Sequence, residues 1–135
     1  MSLQIYQQWV QQVGMRIGNP GLSATANACT LEHGKCSTTI ELEESTDTIH
    51  IWSVVANLPD DLEETDYAEL YHSLLQENSA IMRHNNAHFA LDTHKMRILL
   101  CSSIPASEDH TEAFHILVTS MLSLSQLWHT RFNEA

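Results

Sequence analysis

The sequence predicts an α+β fold in which helices pack on one antiparallel twisted sheet, in the order helix-β-β-β-helix-β-β-helix. Three observations predict it. Apolar residues near both ends of the chain recur at helical spacing. Three strand-like segments lie between residues 24 and 57. The stretch from Tyr67 to Pro105 changes hydrophobic period twice without a break. In that stretch Leu70, Leu74, Ile81 and Tyr71, Leu75, Met82 keep helical spacing, whereas Phe89, Leu91 and Ile98, Leu100 alternate as strands do.

The first helix is carried by Leu3, Tyr6, Val10, Val13 and Ile17, whose spacings of three and four line one face, with Ser2 placed to cap its start. Gly18-Asn19-Pro20-Gly21 ends it, because Gly and Asn accept left-handed dihedrals and Pro cannot continue a helix interior. A first strand falls within Ala24 to Glu32, and His33-Gly34-Lys35 turns it into a second, Ser37 to Glu43. There Thr38, Ile40 and Leu42 alternate with Thr39, Glu41 and Glu43, giving one buried and one wet face. The third strand, Thr48 to Asn57, sets Ile49, Ile51 and Val55 on one face and Trp52 and Val54 on the other, so it carries more apolar surface than one face needs.

Leu58-Pro59-Asp60-Asp61 is expected to open the second helix, with Asp61 and Glu64 in a capping arrangement and carboxylates at the positive end of the dipole. Arg83 and His84 sit at its other end. Two strands around Phe89 to Leu91 and Met96 to Ser102 follow, joined by Asp92-Thr93-His94-Lys95, and Pro105 ends them. Ser107 is expected to cap a last helix with the apolar rows Phe114, Leu117, Met121, Leu124, Trp128 and Val118, Leu122.

The 135 residues fit one domain spanning positions 1–135. Six Lys+Arg against seventeen Asp+Glu give a net charge of −11, which disfavours nucleic acid as a partner. Cys29, Cys36 and Cys101 form no paired pattern and read as reduced thiols in a cytosol. The N-terminal segment lacks the basic and uninterrupted apolar regions of a secretory signal, and no apolar run is long enough to span a membrane. The expected setting is soluble and cytoplasmic, away from membranes.

Nine histidines invite a metal reading, with His84, His88 and His94 the tightest group. On one helix His84 and His88 would share a face, a usable zinc geometry, but Asn85-Asn86 between them argues against that helix. No HExxH, GxSxG, Gly-rich phosphate loop or kinase-like signature occurs, so neither a metal, a cofactor nor a catalytic residue is expected. The acidic run Asp60, Asp61, Glu63, Glu64, Asp66 is explained by a helix start. Aromatic surplus is more informative: Ile5 and Trp9 widen the apolar stripe of the first helix, and Trp52 with Val54 adds apolar area on a strand, as anchors of protein interfaces do.

The Leu74-Leu75 pair, Asn78, the Asn-rich link, the strand ending Leu91-Asp92 and the strand ending Ile104-Pro105 together resemble the class I chaperones of bacterial type III secretion, the Tir chaperone (CesT-like) family. The resemblance implies a non-enzymatic homodimer that binds the N-terminal segment of a cognate secreted effector and keeps it secretion-competent. It places the effector patches on the first helix and the sheet, hence on Ile5, Trp9, Trp52, Val54, Phe89 and Ile98. It places the twofold interface on the central helix, hence on Leu70, Tyr71, Leu74, Leu75 and Met82. Two other readings are open at this point: a small metal-dependent hydrolase using the histidines, and a same-fold regulator that sequesters a secretion-system transcription factor or its inhibitor.

Overall fold

The structure, a computed structural model, describes residues 2–19, 22, 27–59 and 61–134. Its elements are α1 (Ser2–Arg16), β1 (Ala28–His33), β2 (Cys36–Glu43), β3 (Thr48–Asn57), α2 (Glu64–Asn85), β4 (His88–Asp92), β5 (Arg97–Pro105), a single 3₁₀ turn (Glu108–His110) and α3 (Thr111–Glu134). The predicted order of helices and strands is the observed one. All five strands form one antiparallel sheet in the order β1-β2-β3-β5-β4.

The sheet has a dry face and an open one. On the dry face Thr38, Ile40, Leu42, Ile49, Ile51, Ser53, Val55, Ile98, Leu100, Ser102 and Ile104 are buried, and α3 lies across β3 with α1 beside it against β2. From α3, Phe114, Leu117, Val118, Met121 and Trp128 fill this layer, while Leu122 and Leu124 are half-buried. Tyr6 of α1 is wholly enclosed, and its hydroxyl donates to the Ile40 carbonyl at 2.6 Å, tying α1 to the sheet. Burial without that bond would leave the hydroxyl unsatisfied.

Turns and caps follow the local sequence with three departures. Gly34 has φ +57° in the two-residue hairpin between His33 and Cys36, a conformation glycine adopts without penalty. Gly14 allows the chain to fold back after α1, since a Cβ there would meet the Asn19 carbonyl at 2.6 Å. Ser2 is the first helical residue rather than a residue preceding the helix. The Pro20-Gly21 part of the expected helix stop, and the expected start of β1 at residues 24–26, lie outside the described residues.

The second departure is at α2, which starts at Glu64, later than expected. Its cap is Glu63, extended and with no side-chain cap bond, and the Asp61–Glu64 arrangement does not form there. The cause is upstream. The Leu58 N–H still bonds the Met96 carbonyl at 2.8 Å, and Pro59 keeps Leu58 out of the helical region; Asp60 lies outside the described residues. Glu64 and Asp66 do occupy the first turn, where the dipole favours them. At the far end Asn86 adopts the left-handed conformation (φ 50°, ψ 43°) and stops the helix.

The third departure is at Ser107. It precedes the 3₁₀ turn rather than α3 itself, and its side chain makes no cap bond. Its backbone carbonyl instead accepts from the His110 N–H at 2.9 Å.

Candidate functional site

Among the described residues, two of the surfaces that leave apolar area exposed lie on α2 and on the sheet. The first is the outward side of α2. Leu74 and Ile81 are buried and Leu70 is half-buried, so one row of the predicted pair packs against its own sheet. The other row is open: Tyr71 is 44 %, Leu75 69 % and Met82 60 % exposed. The helix stands beside β4, and the Asn78 side chain holds the Phe89 backbone there.

The second surface is the open face of the sheet. Strand alternation brings Glu41 and Glu43 of β2, His50 and Trp52 of β3, His88 and Asp92 of β4, and Leu99 and Cys101 of β5 to one basin of about 670 Å³. Trp52 is half-buried at its centre. Its Nε1 donates to Glu41 at 3.2 Å, and the Arg97 guanidinium sits 5.6 Å from its ring centre. Arg97 in turn pairs with Asp92 at 2.9 Å, an arrangement that draws the Asp92 carboxyl below its ordinary range. Glu43 accepts from Thr46 and His50, which likewise lowers its carboxyl. Val54 continues this face one pleat beyond Trp52 and is half-buried.

Three of the residues placed on the effector surface by resemblance lie in the core instead. Trp9 is 2 % exposed, stacks on Phe114 with ring centres 4.8 Å apart, and donates to the Thr111 hydroxyl at 3.2 Å. Its surplus position on the helical stripe is used by α3, because α1 packs against both α3 and β2 and so buries a wider arc. Phe89 and Ile98 point to the dry face, where Phe89 meets Trp128 and Phe132 edge-on. Trp52, Val54 and Ile5 retain accessible surface, with Ile5 half-buried beside Ser2, Asp47 and Ala106. Leu99 and Cys101 join Trp52 on this face, at positions outside the aromatic surplus expected from sequence. The signal was present in the alternation Arg97, Leu99, Cys101, Ser103 on the strand face opposite Ile98 and Leu100.

The surroundings of the three cysteines do not activate them. Burial pushes the thiols of Cys29 and Cys36 up and that of Cys101 up to about 11, which disfavours the nucleophilic thiolate. The helix break at Asn86 puts His84 and His88 on different elements, and among the described residues no three His, Cys, Asp or Glu side chains converge to hold a metal. No helix among them is long and apolar enough to cross a membrane.

Among the described residues, the open sheet face around Trp52 and the α2 row Tyr71, Leu75 and Met82 present apolar surface to solvent. The chain belongs to the Tir chaperone protein (CesT) family, whose model matches residues 8–129. The family and the fold are those of non-enzymatic secretion chaperones. No curated protein sequence matches the chain. Among solved structures, the fold is similar to a chain of the ExsC–ExsE complex at 21 % identity and a TM-score of 0.71, covering 91 % of this chain and 90 % of that one. It is also similar to a chain of the HopA1–SchA chaperone–effector complex, at 10 % identity and a TM-score of 0.68 over 93 % of each chain. A third similarity is to a chain of the heterodimeric ExoU–SpcU complex from the type III secretion system of Pseudomonas aeruginosa, at 16 % identity and 0.60, covering 91 % of this chain and 93 % of that one.

Proposed function

We propose that the chain is a cytoplasmic type III secretion chaperone that acts as a homodimer, has no catalytic activity, and binds the N-terminal segment of a cognate effector in extended form. The observation that carries this reading is family membership across residues 8–129, and the similar solved chains come from complexes named for a chaperone and its effector or for a secretion-system pair. The physical logic agrees. An extended segment lying on open apolar surface and hydrogen-bonding a sheet edge is kept from folding, which is the state export requires.

In this reading the exposed row Tyr71, Leu75 and Met82 of α2 meets its twofold mate, with Leu70 and Leu74 behind it supporting the helix. The client covers Trp52 and Val54 on the sheet and Ile5 on α1, while Trp9, Phe89 and Ile98 hold the layers beneath. The test is co-expression with the N-terminal segments of secreted proteins encoded beside this chain. A complex that survives purification, with the client segment protease-sensitive when alone and protected when bound, is the expected result. Failure of all such segments to bind a well-folded chain would overturn the reading.

A further inference from the structure

Trp52 lies in a basin with an unbalanced rim. Glu41, Glu43 and Asp92 stand around it against one guanidinium, that of Arg97, which Asp92 already pairs, and the imidazoles of His50 and His88, of which His50 bonds Glu43. The turn after β2 adds Glu44 and Asp47 at the same end of the strands. The floor is Trp52, Leu99 and Cys101, all half-buried, in the middle of a five-stranded sheet. Both helices that pack across the sheet, α1 and α3, lie on its other side, and α2 stands at the β4 edge. The ring of Trp52 is held in place by the Glu41 bond at its nitrogen and by Arg97 at its face, so the apolar floor is ordered before anything covers it.

Resting on the client-binding reading, we infer that this basin docks the part of the client segment in which Lys or Arg residues stand among apolar ones. The apolar side chains would cover Trp52 and Leu99, and the cations would reach the carboxylates of Glu41 and Glu43. Charge selects this occupant over a second copy of the chain. A copy carries a net charge of −11 and brings seventeen carboxylates against six cations, so it meets the acidic rim with repulsion. Opposite charge at such a rim raises the association rate and rejects wrong partners more than it raises affinity by itself.

The experiment uses the full-length chain and the client segment found by co-expression. Glu41→Gln with Glu43→Gln removes both charges while keeping the acceptor for the Trp52 indole, so folding is retained and is checked by the melting temperature. Binding of the segment is read by anisotropy over a salt series, and the Trp52 indole N–H by NMR. Expected are a loss of affinity on the order of tenfold in the double variant, a flatter salt dependence, and a shifted Trp52 signal on binding. Tight binding unchanged by the double variant, with the Trp52 signal unmoved, would overturn the basin as the docking site while leaving the chaperone reading intact. A Trp52 signal that moves with protein concentration in the absence of client would overturn it in favour of a second copy. Absence of any client binding would remove the chaperone reading, and this inference with it.

Discussion

The side chain of Asn78 grips both backbone groups of Phe89: its Oδ1 accepts from the Phe89 N–H, and its Nδ2 donates to the Phe89 carbonyl at 3.3 Å. Phe89 is the residue of β4 that faces Leu100 across the ladder, so its outward N–H and C=O would otherwise be an open strand edge. One amide on α2 thereby substitutes for a neighbouring strand and fixes how α2 stands against the sheet. It also aims Phe89 into the aromatic cluster with Trp128 and Phe132.

Asn78→Ala should therefore lower stability by about 1–3 kcal/mol, the sum of two ordinary hydrogen bonds, as read by urea unfolding. Asn78→Asp keeps the acceptor for the Phe89 N–H but sets a carboxylate against the Phe89 carbonyl, so it should not restore the loss. A wild-type unfolding midpoint in Asn78→Ala would show that the clamp is dispensable.

Leu75 is the most exposed residue of the α2 row, and its neighbours Tyr71 and Met82 are open as well. An interface built on them should be mainly apolar and bury at least roughly 1,000 Å² in total. Leu75→Glu should give a folded monomer rather than an unfolded chain, because the side chain takes no part in the protomer's own core. Light scattering at micromolar concentration checks this, and a wild-type protein of monomer mass would refute the dimer.

Trp9 and Trp52 should behave oppositely. Trp9→Ala empties a site stacked on Phe114 and should cost about 3–5 kcal/mol of stability. Trp52→Ala should leave the melting temperature nearly unchanged and weaken client binding by about 1–4 kcal/mol. Equal losses of stability in both variants would place Trp52 in the core.

Acidification should destabilise the fold before its carboxylates titrate. His33 donates or accepts at 2.7 Å with Thr38 and at 3.2 Å with Gln126 of α3, and Thr38 bonds buried Ser53. Burial holds the His33 imidazole below its ordinary value, and burial with nearby Arg16 does the same for His115. The unfolded chain then binds more protons than the folded one as pH falls through about 6.5, so stability present above that value declines below it. Melting temperatures should fall between about pH 7.5 and about pH 5.5, roughly one unit on either side of that value. His33→Gln with His115→Gln should flatten the slope; an unchanged slope would exclude these two groups as its source.

Much of this protein was legible in the residues because periodicity reports local geometry directly. The rows of α2 and α3, the alternation of Thr38, Ile40 and Leu42, and the third strand from Thr48 to Asn57 all stand where the spacing put them. The two-sided apolar character of α2 was visible too, since Leu70 and Leu74 lie one step around the helix from Tyr71 and Leu75. What periodicity cannot say is which apolar face meets a partner within the chain. In β5, Ile98-Leu99-Leu100-Cys101 is apolar at every position, and the pairing with β3, through the irregularity between Val54 and Ala56, decided that Ile98 goes inward and Leu99 outward. Trp9 lay off the simplest row, yet α3, contributed by residues about a hundred positions later, closes over it. Likewise Leu58 stays extended because Met96, distant in sequence, takes its N–H. The sequence by itself determined the elements, their order and the surplus of apolar surface, because these depend on neighbours within a few residues. Only the tertiary structure decided which of that surplus is core and which is open, because that depends on contacts whose cost in chain entropy only the whole fold repays.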